Sequence, residues 1–219
     1  MLLQLFLQPM IQGIKHIIFD LGGVLLNLDY SATEKAFEAL GIENFNGHYS
    51  QLQQTSLFND LETGRISRTE FVTAVQALVP ELQLTEEQII KAWNAMLLDF
   101  PLRRLQILQQ LRLYYDLVLL SNTNEVHEEA FNAILMAEHT IPALGAFFDR
   151  IYFSHRVGMR KPDKEIFEHI LAENEFQPHE TLFIDDSPQH IETAKALGIQ
   201  TIHLTNGMTI EDNVFLPKK

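Results

Sequence analysis

Cysteine is absent from the 219 residues. That excludes disulfides and any metal site built on thiolates, and it is compatible with a cytoplasmic location, which is the expectation here. Positive charge is scarce: 16 Lys and Arg stand against 29 Asp and Glu, for a formal net charge of −13. Such a chain lacks the basic face that a nucleic acid requires. It also repels anions at long range, so an anion site within it needs local positive charge. Long apolar runs are missing too. Residues 1–7 are apolar apart from Gln4, but no Lys or Arg precedes them and no small-residue cleavage site follows. A signal peptide needs both features, and a membrane span needs roughly 20 apolar residues. No membrane partner is expected. Residues 1–13 read as an N-terminal extension, with Met10 as a candidate start, or as a short packing segment. There is no internal repeat and no low-complexity tract.

What is present is the composition of a globular protein, 46% hydrophobic and 21% charged, long enough for a substantial core. Five short apolar runs, residues 17–19, 117–120, 151–153, 182–184 and 201–204, have the length and character of buried strands. Helical patterns separate the later ones, which predicts an α/β fold with a parallel sheet. The first four runs end at Asp20, at Ser121-Asn122, at Ser154 and at Asp185-Asp186. Ligands in such sheets sit beyond the carboxyl ends of the strands, so these groups gather where a site forms. Two glycines, Gly22 and Gly23, follow Asp20 and let the backbone turn close to a bound group. Asp20 alone also reads as an ordinary strand-to-loop aspartate.

Residues 29–100, between the first and second strands, read as wholly helical. Ser31/Glu34, Ser67/Glu70 and Thr85/Gln88 all match the capping-box spacing. A crossover between parallel strands needs one helix, so three or four signal an inserted helical cap. The expected organisation is a core of residues 14–28 and 101–219 with a cap of residues 29–100. The cap holds four basic residues, Lys35, Arg65, Arg68 and Lys91. Arg65 lies in a glycine-containing turn that either leans into the site mouth to contact substrate or forms a surface loop. His48 and His127 read as a surface and a half-exposed helix residue, and His155 as structural.

Asp20, Asp185 and Asp186, brought together at one sheet edge, cannot all stay ionised without a cation. A donor set of oxygens without imidazole or thiolate suits Mg²⁺. Asp185 or Asp186 would otherwise cap the following helix, but Ser187 is better placed for that task. Lys161 precedes another helix, and with Mg²⁺ it balances three carboxylates, leaving a near-neutral site able to accept a phosphate dianion. Ser121 and Asn122 offer further donors to its oxygens.

Four blocks carry a family resemblance: Ile18-Phe19-Asp20-Leu21-Gly22-Gly23-Val24-Leu25, Leu120-Ser121-Asn122, Arg160-Lys161-Pro162-Asp163 and Phe183-Ile184-Asp185-Asp186-Ser187. In this order the chain resembles the haloacid dehalogenase superfamily, which consists mostly of Mg²⁺-dependent phosphatases. The resemblance implies a Rossmann-like five-stranded parallel core with an inserted helical cap, and it puts the first strand between the second and fourth. It implies hydrolysis of a small phosphorylated metabolite through an aspartyl-phosphate on Asp20. Ser121 and Lys161 would hold the phosphoryl group. Asp186 and Asp20 would ligate Mg²⁺ with the Gly22 carbonyl, and Asp185 would do so directly or through water. Arg160 is expected at the surface. Most family phosphatases carry a second aspartate two residues after the nucleophile as general acid and base; here Gly22 stands there. A capped subgroup that includes bacterial α-D-glucose-1-phosphate phosphatase is similar in this respect. The alternatives are a metal-independent 2-haloacid dehalogenase and a non-catalytic phosphate-binding or regulatory protein. Oligomeric state is not legible in the sequence.

Overall fold

A computed structural model describes residues 11–42, 57–212 and 215. Five parallel strands, β1 (His16–Phe19), β2 (Asp116–Ser121), β3 (Arg150–Phe153), β4 (Thr181–Asp185) and β5 (Gln200–His203), lie in the order β3-β2-β1-β4-β5. The five expected runs are these strands, and β1 does lie between β2 and β4. Phe19 is in register with Leu119 on one side and Ile184 on the other. The residues that follow these positions therefore share one edge.

A parallel sheet must be covered on both faces, and alternate residues divide between them. Ile17, Phe19, Leu117, Leu119, Leu182 and Ile184 face one core. It is closed by α5 (Leu102–Leu111) and α6 (Glu125–His139). Ile18, Val118, Leu120 and Phe183 face the other. That side is covered by α8 (Lys164–Glu173) and α9 (Pro188–Ala196). One turn of helix, α7 (Ser154–Val157), follows β3.

Among the described residues, four α-helices stand between β1 and α5: α1 (Tyr30–Ala39), α2 (Leu57–Glu62), α3 (Arg68–Leu78) and α4 (Glu86–Trp93). They bury an apolar cluster of their own around Phe37, Leu61, Phe71, Val75 and Trp93, joined by Val126 of α6. Two of the three expected capping boxes are present, Ser67 with Glu70 and Thr85 with Gln88. The third is displaced. Asp29 takes the N-cap of α1 and accepts from the Ser31 amide at 2.9 Å, so Ser31 lies inside the helix. The two connections to the sheet run side by side: Leu28 pairs with Leu97 in an antiparallel bridge, and the Asn27 amide donates to the Asp99 carbonyl at 3.0 Å. Residues 1–10, which carry most of the expected extension, and His48 fall outside the described residues.

Candidate active site

Asp20 follows the last residue of β1, and its amide still donates to the Ile184 carbonyl of β4 at 3.0 Å. The backbone then folds on itself, with the Leu25 and Leu26 amides both donating to the Leu21 carbonyl. Gly23 has a φ of +73°, and a Cβ there would lie 2.3 Å from Asp186 Oδ2. Glycine is thus what lets the β1 loop and the Asp186 carboxylate approach each other.

Lys161 is wholly buried, with Nζ 2.7 Å from Asp20 Oδ1 and 2.7 Å from Asp185 Oδ2. Its backbone is fixed from β2: the Asn122 side chain donates to the Lys161 carbonyl at 2.8 Å and accepts from its amide at 2.9 Å. Asn122 thus positions Lys161 with its side-chain oxygen and one of its two amide hydrogens, and it also lines the cavity. Burial alone would lower the Lys161 pKa, but Asp20 and Asp185 outweigh it and hold the ammonium above its ordinary range. Burial pushes the Asp20 carboxyl up to about 6, against the pull of Lys161. Asp185 also feels burial, yet Lys161 and His190 bring it below the ordinary range. Part burial and the charge of Asp185 raise Asp186.

One oxygen from each of Asp20, Asp185 and Asp186 lies within 4.8 Å of the others. This oxygen-only donor set fits Mg²⁺. The three are not equivalent. Asp185 Oδ1 accepts from the Ser187 amide at 2.7 Å, and His190 Nδ1 lies 3.0 Å from both Asp185 oxygens. Ser187 makes no side-chain cap of α9. The expectation that Ser187 frees both acids is corrected for Asp185, which itself satisfies the helix start. Asp20 and Asp186 remain the more available donors.

Above these groups is a cavity of about 590 Å³, lined by Asp20, Gly22, Ser121, Lys161 and Asp186 from the core and by Glu62, Trp93 and Met96 from the cap helices and turns. Ser121, at the end of β2, is 3% exposed. Arg65 is not brought in. Its side chain is 64% exposed and pairs with Asp60 at 3.3 Å, because the turn after α2 closes back on the Asp60 carbonyl. The same turn does reach the core, since a Cβ on Gly64 would lie 2.1 Å from the His155 carbonyl oxygen. It presents Glu62 to the cavity. Arg160, expected at the surface, rises to meet it: Nη2 lies 3.0 Å from Glu62 Oε2, and Nη1 donates to Asn59 Oδ1 at 3.0 Å. Burial raises the Glu62 carboxyl, opposed by Arg160.

His127 is 8% exposed, against the half-exposed expectation, because the cap's Trp93 stacks on it at 5.0 Å. His155 is structural as read, stacked on Phe153 and 3.2 Å from Glu128. His190 escaped the sequence reading. Its signal was position: three residues after Ser187, it falls on the first turn of the helix that follows the acids.

Residues 14–198 match the haloacid dehalogenase-like hydrolase family. A D-ribitol-5-phosphate phosphatase from Bacteroides thetaiotaomicron is 34% identical over 195 residues, 89% of this chain and 93% of the relative. The solved HAD family enzyme BT-2542 from the same organism, in complex with magnesium and inorganic phosphate, superposes with a TM-score of 0.77 at 34% identity, over 87% of this chain and 93% of that one. A HAD-like hydrolase from Porphyromonas gingivalis gives a TM-score of 0.76 at 35% identity, over 87% and 90%. With its four motif blocks converging on one cavity, this chain belongs to the haloacid dehalogenase-like hydrolase family.

Proposed function

We propose that the chain is a Mg²⁺-dependent phosphatase of a small phosphorylated polyol or sugar, acting through an aspartyl-phosphate on Asp20. The observation that carries this reading is Lys161, buried between Asp20 and Asp185 at 2.7 Å from each, with Asp186 beside them at the foot of one cavity. Asp20, Asp186 and the Gly22 carbonyl, with Asp185 behind them, would hold Mg²⁺, which would supply positive charge toward the phosphoryl group. Lys161 fixes one oxygen of Asp20 and leaves the other to attack phosphorus. The bond from phosphorus to the substrate oxygen breaks, and that oxygen leaves with the bonding electron pair and takes up a proton from solvent to become the alcohol. Ser121 and Lys161 hold the phosphoryl oxygens during transfer. Water then attacks the phosphorus of the aspartyl-phosphate and releases inorganic phosphate, restoring the Asp20 carboxylate. A metal-independent dehalogenase would have no use for Asp186 beside the nucleophile. A purely binding protein would have no use for a carboxylate where the phosphate must sit.

The relative named for D-ribitol 5-phosphate supports a polyol monophosphate as the substrate. Its leaving group is an ordinary primary alcohol, so the anomeric leaving group suggested by the glucose-1-phosphate subgroup is not needed for this reading. The test is phosphate release from D-ribitol 5-phosphate and from an aryl phosphate, with Mg²⁺ and with EDTA, for the wild type and Asp20→Asn. Release should require the metal and vanish in the variant. Turnover that survives complete metal removal, or persists in Asp20→Asn, overturns the assignment.

A further inference from the structure

The charges lining the cavity do not balance. Among the described residues, four acids line it, Asp20, Glu34, Glu62 and Asp186, against two cations, Arg160 and Lys161. Both cations are engaged. Lys161 is shared by Asp20 and Asp185, and Arg160 by Glu62, Asn59 and the Lys161 carbonyl. His190 is held against Asp185, and buried His127 is kept neutral with a pKa of about 4.

The cap does not make up the deficit. Of its four basic residues, Arg65 pairs with Asp60, and Arg68 with Glu86 and Glu129. Lys35 donates to Ser31 Oγ, and Lys91 is exposed. None of the four lines the cavity. Residues 43–56, outside the described part, contain no Lys or Arg. A divalent cation and Lys161 suffice for one phosphate dianion over the three aspartates. Among the described residues, no Lys or Arg beyond Arg160 and Lys161 lines the cavity to receive a second anion on the substrate, which would meet the cap-side carboxylates.

From this charge count, and resting on the phosphatase reading, we infer that the cavity selects phosphomonoesters whose remainder is uncharged, a polyol or neutral sugar. It rejects those with a second carboxylate or phosphate, and Glu62 is the residue that sets the rejection. Glu62 acts twice: it repels the anion itself, and it occupies the guanidinium of Arg160 that would otherwise receive it. A like charge about 6 Å away at the effective dielectric of a partly buried pair costs at most roughly a hundredfold, and the Arg160 guanidinium, 3.0 Å from Glu62, offsets part of it.

The experiment compares kcat/KM for D-ribitol 5-phosphate with that for the same carbon chain whose far hydroxymethyl is oxidised to carboxylate, and with its bisphosphate. The wild type should disfavour both anionic analogues by at least about thirtyfold, mainly through KM. Ratios within threefold overturn the inference without recourse to any variant. Glu62→Gln should narrow the gap tenfold or more by lowering KM for the carboxylate analogue. An unchanged ratio in a folded Glu62→Gln protein removes Glu62 from the role. An aryl phosphate run alongside separates the two readings. If nothing releases phosphate, the phosphatase assignment fails. If the aryl and all three chain esters turn over alike, only the selectivity fails.

Discussion

His127 gives the clearest handle on how the cap is held. It stands on core helix α6, yet its ring stacks on cap residue Trp93 with planes 19° apart, and Nε2 approaches the Trp93 carbonyl at 3.4 Å. Burial lowers its pKa from 6.5 to about 4. Between those values the unfolded chain binds more protons than the folded one. Stability is therefore full above pH 6.5 and falls as pH drops toward 4. A gap of this size corresponds to about 3 kcal/mol by pH 4, a large part of the 5–15 kcal/mol typical of whole domains. His127→Phe keeps a flat ring against Trp93 and removes the titration. Its loss of one long hydrogen bond should cost about 1 kcal/mol at neutral pH. Urea unfolding of both proteins across pH 4 to 8 is the assay. The variant should be level with or slightly below the wild type at pH 7.5 and should overtake it below about pH 5.5. Parallel pH profiles would refute the reasoning, because they would mean that His127 is protonated equally in both states.

Lys161→Met keeps the length of the side chain but leaves Asp20 and Asp185 facing each other without their cation. Removing one partner of a buried pair costs about 3–5 kcal/mol, so the urea midpoint in EDTA should fall sharply and recover in part with Mg²⁺; a midpoint unchanged in EDTA would contradict the buried bridge. With glycine at position 22, turnover of a series of aryl and alkyl phosphates should depend steeply on the acidity of the leaving alcohol, since general acid help of about 10²–10⁴-fold is missing there. A flat series would mean that another group donates the proton.

The sheet was legible because parallel strands buried on both faces carry their own signature, and because each ends at a residue unlike the run before it. Asp20, Asp185, Asp186 and Lys161 were legible for the same reason: strand ends and helix starts fix where such residues stand. What lay beyond reach depended on side chains meeting across elements distant in sequence. Arg65 reads as either a contact at the site mouth or part of a surface loop, and Arg160 as a surface residue; the folded turn reverses them, with Arg65 exposed on Asp60 and Arg160 meeting Glu62 at the cavity. Asn122 offered donors in the sequence, but which donors stay available depends on the Lys161 backbone, 39 residues away. His127 reads as a half-exposed helix residue; its burial comes from Trp93, on the inserted unit far away in sequence. Ser31 lost its capping role to an acid two residues earlier, a choice between two good N-cap residues that propensity does not rank.

Position 22 connects these threads. Its φ is not in the left-handed region, so the backbone there does not require glycine. A Cβ would nevertheless come within 2.6 Å of Leu28 Cδ1. Leu28 is no ordinary neighbour: it pairs with Leu97 where the two connections between cap and sheet run together. A Cβ at position 22 would require the Leu28 methyl, the end of a flexible side chain, to turn aside, so an acid there is absent by chemistry and not excluded by the backbone. Proton transfer to the leaving group must then come from solvent or from the cap side. On the proposed reading, the core contributes one buried lysine and three carboxylates with the cation that they would hold.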